Sequence, residues 1–415
     1  MVQYLLLSLA LGVGQTEPPP TEQKPAPAVA VSETPAPNPV PPPPPAPAPP
    51  PDRWLLMQTL QGTWPGWLLD GNRIQIYGWN DGSFTASSAA QENLPLGLNY
   101  RANEFLEQQT WLRIERTVVT TGTSEPTFGF RSDTIVGSDY RFTLPRGIFN
   151  RQLTDGQDGG PNEYGIDPLQ FYVEGYFPTI GRGLDVKVGR INCQFGAELT
   201  EAIGNPFPSH SYTYFYNPFT HTGVVATQQL TPEWSVQAGA VMGPDVFFDT
   251  AASPYGMFSV KWAPPNGRDS ILVSTLLGSG RYDVGEQFNN PNLVDLVYTH
   301  QFNPVLNYTF EGLFGYENNV PGIGTATWFG LVQYLNCKFT PRLSGGTRLE
   351  FFDDVDGNRT GFPGLYTSAA ACLNFKPLHS LIIRPEIRFD VNCDSRPFED
   401  KHGLLTAVID VIRRW

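Results

Sequence analysis

The sequence predicts an all-β protein, a closed antiparallel transmembrane β-barrel of about 16 strands that follows a disordered Pro-rich N-terminal segment. Three observations support this fold class. Apolar and polar residues alternate in stretches of about ten residues, the length that a tilted strand needs to cross a bilayer. Short and long connections alternate between these stretches, as in outer-membrane barrels. Charged residues make up only 16% of the chain, against about 25% in typical soluble domains.

The stretch SLIIRPEIRFD at residues 380–390 shows the alternation clearly. One face is apolar, and the other carries Arg384, Glu386, Arg388 and Asp390. In a soluble sheet, water would cover the charged face and a core the apolar one. In a membrane barrel, lipid covers the apolar face and a wet interior the charged one. This stretch alone fits both environments.

The number and length of the stretches favour the barrel. We predict sixteen strands, an even number as in bacterial single-chain barrels. In chain order they are 73–84, 105–118, 127–137, 169–177, 184–195, 222–230, 234–243, 255–263, 270–278, 293–302, 305–317, 326–339, 342–354, 365–375, 380–390 and 402–415. Pro385 lacks the N–H that a ladder needs, so we expect it at a bulge or near a rim.

The polar faces should point inward, because a charge facing lipid costs about 2–4 kcal/mol at the bilayer midplane. Two interpretations stay open: the charges bias ion passage, or they pair across strands and fix the barrel shape. The candidate lumen-lining residues are Arg113, Glu115, Glu174, Arg348, Glu350, Arg384, Glu386, Arg388 and Asp390.

Ahead of the barrel, which we place at 73–415, three segments differ in composition. Residues 1–15 contain the apolar run of a secretory signal peptide, which is too short to span a bilayer. Residues 16–51 form a Pro-rich disordered linker, either an inert tether or a spacer that contacts the cell wall. Residues 52–72 include a short helix over 52–61, broken at GTWPGW, that serves as a plug or entry segment.

The connection at 196–221 is long and rich in aromatic residues. It either folds into the barrel as a constriction or plug, or lies exposed outside. We expect the first arrangement. The candidate constriction residues are Phe207, Tyr212, Tyr214, Phe215 and Tyr216.

Nothing in the sequence predicts a catalytic residue, a metal site or a cofactor. His210 lies between two serines, but neighbouring residues on a loop do not form a nucleophile–base–orienter arrangement. Residues 353–361 start like a calcium loop and lack its glycine and its final glutamate. A net charge of −13 argues against nucleic acid as a partner.

Several motifs carry a family resemblance, chiefly RLEFFDDVDGNRTGFPG, LNFKP and IIRPEIRFD, together with IQIYGWNDGSF, GFRSDTIVGSD and KVGRINCQFGAE. Across residues 70–415 the chain resembles the OmpL-like group, the second family of bacterial β-barrel porins. The resemblance implies a barrel in the bacterial outer membrane with a pore-forming role, and it supplies no substrate.

We therefore expect a porin for passive diffusion of small hydrophilic solutes or ions, with the lipid bilayer as its environment. Porins of this size often form homotrimers, although no stretch of the sequence identifies an interface. One alternative is a plugged structural barrel that anchors the envelope through its Pro-rich segment. An enzymatic barrel would need a catalytic cluster at its rim, and we find no convincing candidate.

Overall fold

The computed structural model describes residues 53–156, 159–249, 252–278 and 290–415. The predicted signal peptide (1–15) and Pro-rich linker (16–51) lie outside these ranges. No helix in the described part of the chain has both the length and the apolar character needed to cross a membrane.

Sixteen antiparallel strands form a closed barrel in the described residues, which confirms the predicted fold class. Each strand pairs with its neighbours in the chain, and β1 closes the barrel against β16, from Trp79 opposite Arg414 to Ser87 opposite Thr406. The strands are β1 (Gln75–Ser87), β2 (Glu104–Arg116), β3 (Thr127–Gly137), β4 (Gly165–Phe177), β5 (Leu184–Asn192), β6 (Thr220–Gln229), β7 (Trp234–Pro244), β8 (Tyr255–Trp262), β9 (Asp269–Gly278), β10 (Asn292–Gln301), β11 (Leu306–Val320), β12 (Gly324–Thr340), β13 (Leu343–Asp354), β14 (Gly364–Leu378), β15 (Leu381–Asn392) and β16 (Gly403–Arg414).

The two rims differ in their connections. Even-numbered strands lead into the next strand at what we call the short-connection rim, through 117–126, 178–183, 230–233, 263–268, 302–305, 341–342 and 379–380. The long-connection rim carries, among others, 88–103, 138–164 and 193–219. The connection 321–323 at this rim is short, because the two strands that it joins, β11 and β12, are long, with 15 and 17 residues.

The outer face of the barrel is apolar and exposed, as β13 illustrates. Leu349 and Phe351 are 51% and 44% exposed, whereas Arg348 and Glu350, which alternate with them along the strand, are 1% and 0% exposed. An apolar band of this kind is the surface that a barrel presents to lipid.

Between residue 53, where the description starts, and β1 the chain forms two helices. The predicted helix is α1 (Leu55–Leu60), and α2 (Trp64–Gly71) starts inside GTWPGW, where we predicted only a break. Thr63 caps α2 by accepting a hydrogen bond from the Gly66 N–H, and the proline in its first turn suits a helix start because that N–H needs no partner. Two shorter helices, α3 (Tyr140–Thr143) and α4 (Tyr212–Phe215), and the 3₁₀ turns Asn150–Leu153 and Ala202–Gly204 lie in the long connections.

Stacked aromatic rings attach α1 to the barrel. The Trp54 ring stacks on Tyr77 with centroids 4.3 Å apart, and Trp79 stacks on Trp111 at 4.7 Å. The Arg414 guanidinium lies 4.1 Å from the Trp54 ring centroid. Aromatic pairs of this geometry contribute about 0.5–1.5 kcal/mol beyond their buried area.

Pro385, expected at a bulge or near a rim, is the fifth residue of β15, towards the short-connection rim, and the β14 pairing at this end shifts register between Phe375 and Leu378. The pairing of Pro385 with Ile409 of β16 continues an unbroken register. On the β14 side, Glu386 pairs with Cys372 and Ile383 pairs with Phe375. These two pairs have the same register, one on each side of the proline. The missing N–H of Pro385 therefore interrupts the ladder locally, and the register is the same immediately before and after it.

Candidate functional site

The nine candidate lumen-lining residues all occupy inward positions of their strands. Glu174 is half-buried, and the other eight are buried. Their outward neighbours, such as Leu112 and Val173, are exposed. The inner wall therefore carries both signs of charge, and each of these side chains has a polar partner.

The 193–219 connection lies inside the barrel, where the inner wall binds it. Arg348 donates to the Ser209 carbonyl at 2.7 Å and to Glu198 Oε1 at 3.2 Å. Arg388 donates to the His210 carbonyl at 2.5 Å and forms an ion pair with Asp390 at 2.7 Å. The wall thus holds the polypeptide backbone of the connection as well as its side chains.

Wall carboxylates accept hydrogen bonds from the same segment. Glu350 accepts from the N–H groups of Tyr212 and Thr213 at 3.0 and 2.8 Å. Glu386 accepts from the Ser209 hydroxyl, and also from the Ser209 N–H at 3.2 Å. These contacts satisfy backbone groups that would otherwise be buried without partners.

Arg384 and Arg113 hold the middle of the connection. Arg384 pairs with Asp410 and donates to the carbonyls of Ala202 and Asn205 at 2.9 and 2.6 Å. Arg113 bridges Asp133 of β3 and Glu201 of the connection, at 2.6 and 2.7 Å.

Two of the candidate residues pair only along the wall. Glu115 accepts from Arg131 at 2.6 Å, and Glu174 lies 3.4 Å from Lys187. Neither contact involves the inward connection, so these pairs fit the structural interpretation that cross-strand ion pairs shape the barrel.

The sequence did not single out the anchors at the start of the connection. Asp295 of β10 accepts from the Gly196 N–H, and Glu311 of β11 accepts from the Ala197 N–H, both at 2.9 Å. Asp295 is the only carboxylate of β10, and Glu311 shares the inward face of β11 with Glu317; carboxylates at inward positions of these strands are a signal that could have identified the anchors. Since β10–β11 lie opposite β2, whose Arg113 binds Glu201, the connection crosses the interior of the barrel.

The aromatic candidates pack within this connection or against its neighbours. The Phe207 ring lies 5.0 Å from the Arg348 guanidinium, and the Tyr212 ring 5.1 Å from that of Arg388. Tyr214 donates to the Thr200 hydroxyl at 2.9 Å. The remaining two, Phe215 and Tyr216, contact the connection described next.

The 88–103 connection folds over the 193–219 connection from the long-connection rim, an arrangement that the sequence did not predict. The Tyr216 hydroxyl donates to the Pro95 carbonyl at 2.8 Å, and Leu98 packs with Tyr214. A Cβ at Gly97 would lie 1.9 Å from the Phe215 ring, so only glycine fits this approach.

The electrostatics of the connection centre on Glu198. Burial alone would raise the pKa of Glu198, but the Arg348 guanidinium, together with the hydrogen bond from the Tyr334 hydroxyl, lowers it below its ordinary value. Burial lowers the pKa of His210. His210 is therefore neutral at pH 7, and its 4.0 Å approach to Glu198 is not a full ion pair.

A polar cavity of about 290 Å³ remains beside the connection. Its lining includes Arg131 and Lys187 of the wall and Glu198 and Glu201 of the connection. Within the described ranges, no group of three or more His, Cys, Asp or Glu side chains could hold a metal ion.

A closed barrel with an apolar exterior and a connection folded inside is the architecture of a transmembrane channel. The family described as "Putative beta-barrel porin-2, OmpL-like" matches residues 73–412. The chain therefore belongs to this family of β-barrel porins. No curated protein sequence matches it.

Solved structures agree on the fold. The chain is similar to the outer membrane channel DcaP of Acinetobacter baumannii, with 10% identity, a TM-score of 0.55, and coverage of 82% of this chain and 97% of that one. It is also similar to the anion-selective porin from Comamonas acidovorans, with 9% identity, a TM-score of 0.54, and coverage of 82% and 99%. At these identities the similarity establishes the fold alone.

Proposed function

We propose that the protein is a porin of the bacterial outer membrane, through which small hydrophilic solutes or ions diffuse passively along a charged lumen. The observation that carries the proposal is how the 193–219 connection is held. Buried arginines and carboxylates of the wall bind it inside the barrel. Apolar contacts would hold a solid plug more stably than these ion pairs do, because burying an ion pair has a large desolvation cost. Polar attachment favours a narrowed, hydrated path.

A second candidate is the plugged structural barrel that anchors the envelope through residues 16–51. The crossing of the interior and the overlying 88–103 connection favour this alternative. Contact between 16–51 and the cell wall stays a proposal, since that segment lies outside the described residues.

Liposome swelling separates the two candidates. We expect the purified full chain to admit small neutral sugars, and Arg348→Ala to admit larger ones because the connection loses an anchor. Arg182→Ala is the matched control, since Arg182 is exposed in the 178–183 connection. Swelling by Arg348→Ala but not by the wild type would identify a plugged barrel. No swelling by either protein would overturn the porin proposal.

A further inference from the structure

A second cavity, of about 400 Å³, lies on the inner wall at the short-connection rim between β10 and β14. Three cations and four side-chain amides account for most of its polar lining. They are Lys338, Arg342, Lys376, Gln301, Asn307, Asn336 and Asn374. None of the described residues that line it is Asp or Glu. This is unusual for a chain with 40 acidic and 27 basic residues.

The cations belong to the inner face of the wall. Lys338 has the same parity in β12 as the buried Tyr334, and Lys376 the same parity in β14 as the buried Cys372. Residues of one parity share a face of the sheet. The cavity is therefore open to solutes in the barrel and is not a lipid-facing site.

The three cationic residues occupy neighbouring backbone positions around the cavity, and its lining contains no acidic side chain. The backbone N–H of Lys376 in β14 donates to the carbonyl of Arg342 at 2.8 Å, which places Lys376 opposite the residue just before β13. Lys338 is opposite Ser344, two residues beyond Arg342. Like charges opposite each other are destabilising. In the described part of the chain, none of the three forms an ion pair, so the site holds uncompensated positive charge.

The cavity ends at the inward connection. Asn374, which lines it, donates from Nδ2 to the Pro206 carbonyl at 2.8 Å, and Pro206 itself lines the cavity. A solute that approaches the 193–219 connection from this side of the rim therefore meets the cations first.

We propose that this cavity is an anion-binding vestibule that selects small oxyanions, such as inorganic phosphate and short carboxylates. Guanidinium, ammonium and amide N–H groups are donors that match such oxygens. Positive charges in a confined polar space raise the local concentration of anions. The inference rests on the proposed porin function and specifies its solute class.

The reversal potential of the full chain in planar bilayers under a KCl gradient tests the inference. We expect Lys338→Gln/Arg342→Gln/Lys376→Gln to reduce the chloride-to-potassium permeability ratio several-fold. The matched control, Arg73→Gln/Arg182→Gln/Arg268→Gln, removes three exposed cations from the same rim outside the cavity and should leave the ratio unchanged. Lys338→Arg/Lys376→Arg keeps the charges and should also preserve it.

Inorganic phosphate provides a direct probe of binding. Added to the short-connection side, it should reduce the chloride current of the wild type and of the control variant, but not that of the cavity variant. Gel mobility before and after heating verifies that each barrel is folded. An absence of channels in every protein would refute the porin function itself. Channels whose selectivity and phosphate response survive the cavity substitutions would overturn this inference alone.

Discussion

Arg348 of β13 joins the barrel wall to two points of the inward connection. Its Nη1 lies 3.2 Å from Glu198 Oε1 and 2.7 Å from the Ser209 carbonyl oxygen. Both charged side chains are almost completely buried. One arginine therefore compensates a buried carboxylate and fixes the backbone 11 residues further along the connection.

Removal of this arginine should loosen the connection while the barrel stays closed. Arg348→Ala leaves Glu198 buried without its main cation, and breaking a buried ion pair in this way costs about 3–5 kcal/mol. We expect faster amide hydrogen exchange across 196–213 and unchanged exchange in the strands. Arg182→Ala, which removes an exposed guanidinium, should alter neither region. Equal protection of 196–213 in the variant and the wild type would contradict the anchoring role.

Glu399 should make the 88–103 connection sensitive to acid. Its carboxylate accepts from the N–H groups of residues 90–92 at 2.7, 2.7 and 3.0 Å, and these hydrogen bonds lower its pKa. A lowered pKa means that the stabilisation is complete above the ordinary value of 4.5 and is lost as the pH falls through the folded-state value below it. After correction for the intrinsic pH dependence of exchange, the protection of the 88–103 amides should therefore decrease below about pH 4.5.

Two variants check that assignment. In Glu399→Gln the amides of 88–103 should exchange rapidly even at neutral pH, and most of the acid response should be lost. The neighbouring Asp400→Asn should behave like the wild type. An acid response that persists in full in Glu399→Gln would assign the effect to another group.

Trp54 should control whether the segment before β1 stays attached to the barrel. Trp54→Ala removes a stacked ring and a cation–π contact, together worth about 1–2 kcal/mol. We expect protease cleavage within 53–72 to become faster while the strands remain protected. Trp64→Ala is the matched control, because the Trp64 side chain is 73% exposed. Equal cleavage rates in the two variants would show that the stack does not hold this segment.

The outer surface can be tested by placing one charge at two depths. Leu349→Arg, near the middle of β13, should reduce the free energy of unfolding from lipid vesicles by about 2–4 kcal/mol. Val355→Arg, just beyond the end of the same strand, should cost about 0–1 kcal/mol, since interfaces accommodate charge. Similar losses at both positions would contradict lipid contact along this face.

The strands could be predicted from the sequence because their pattern is local. Lipid on one side and polar groups on the other force an alternation that any ten residues reveal. Arg384 and Arg388 were placed inward by parity alone, and the structure has them there. Pro385 was expected at a bulge or near a rim, and it lies near the start of β15, where the β14 pairing shifts register between Phe375 and Leu378.

The connections were harder to predict, because their contacts join distant parts of the chain. The Gly196 N–H meets Asp295, 99 residues later, and no local pattern specifies that pair. The helix α2 was missed because Trp-Pro-Gly resembles a helix break, although proline also suits a first helical turn. Aromatic content suggested that 196–221 is buried, but its wall partners required the structure.

Single-channel conductance in planar bilayers tests most directly the claim that the barrel interior is a solute path narrowed by the 193–219 connection. The wild-type chain should give discrete current steps, and Arg348→Ala/Arg388→Ala should give larger ones as the connection moves off the wall. If folded barrels of both proteins insert and neither conducts, or if their step sizes are identical, the account is contradicted.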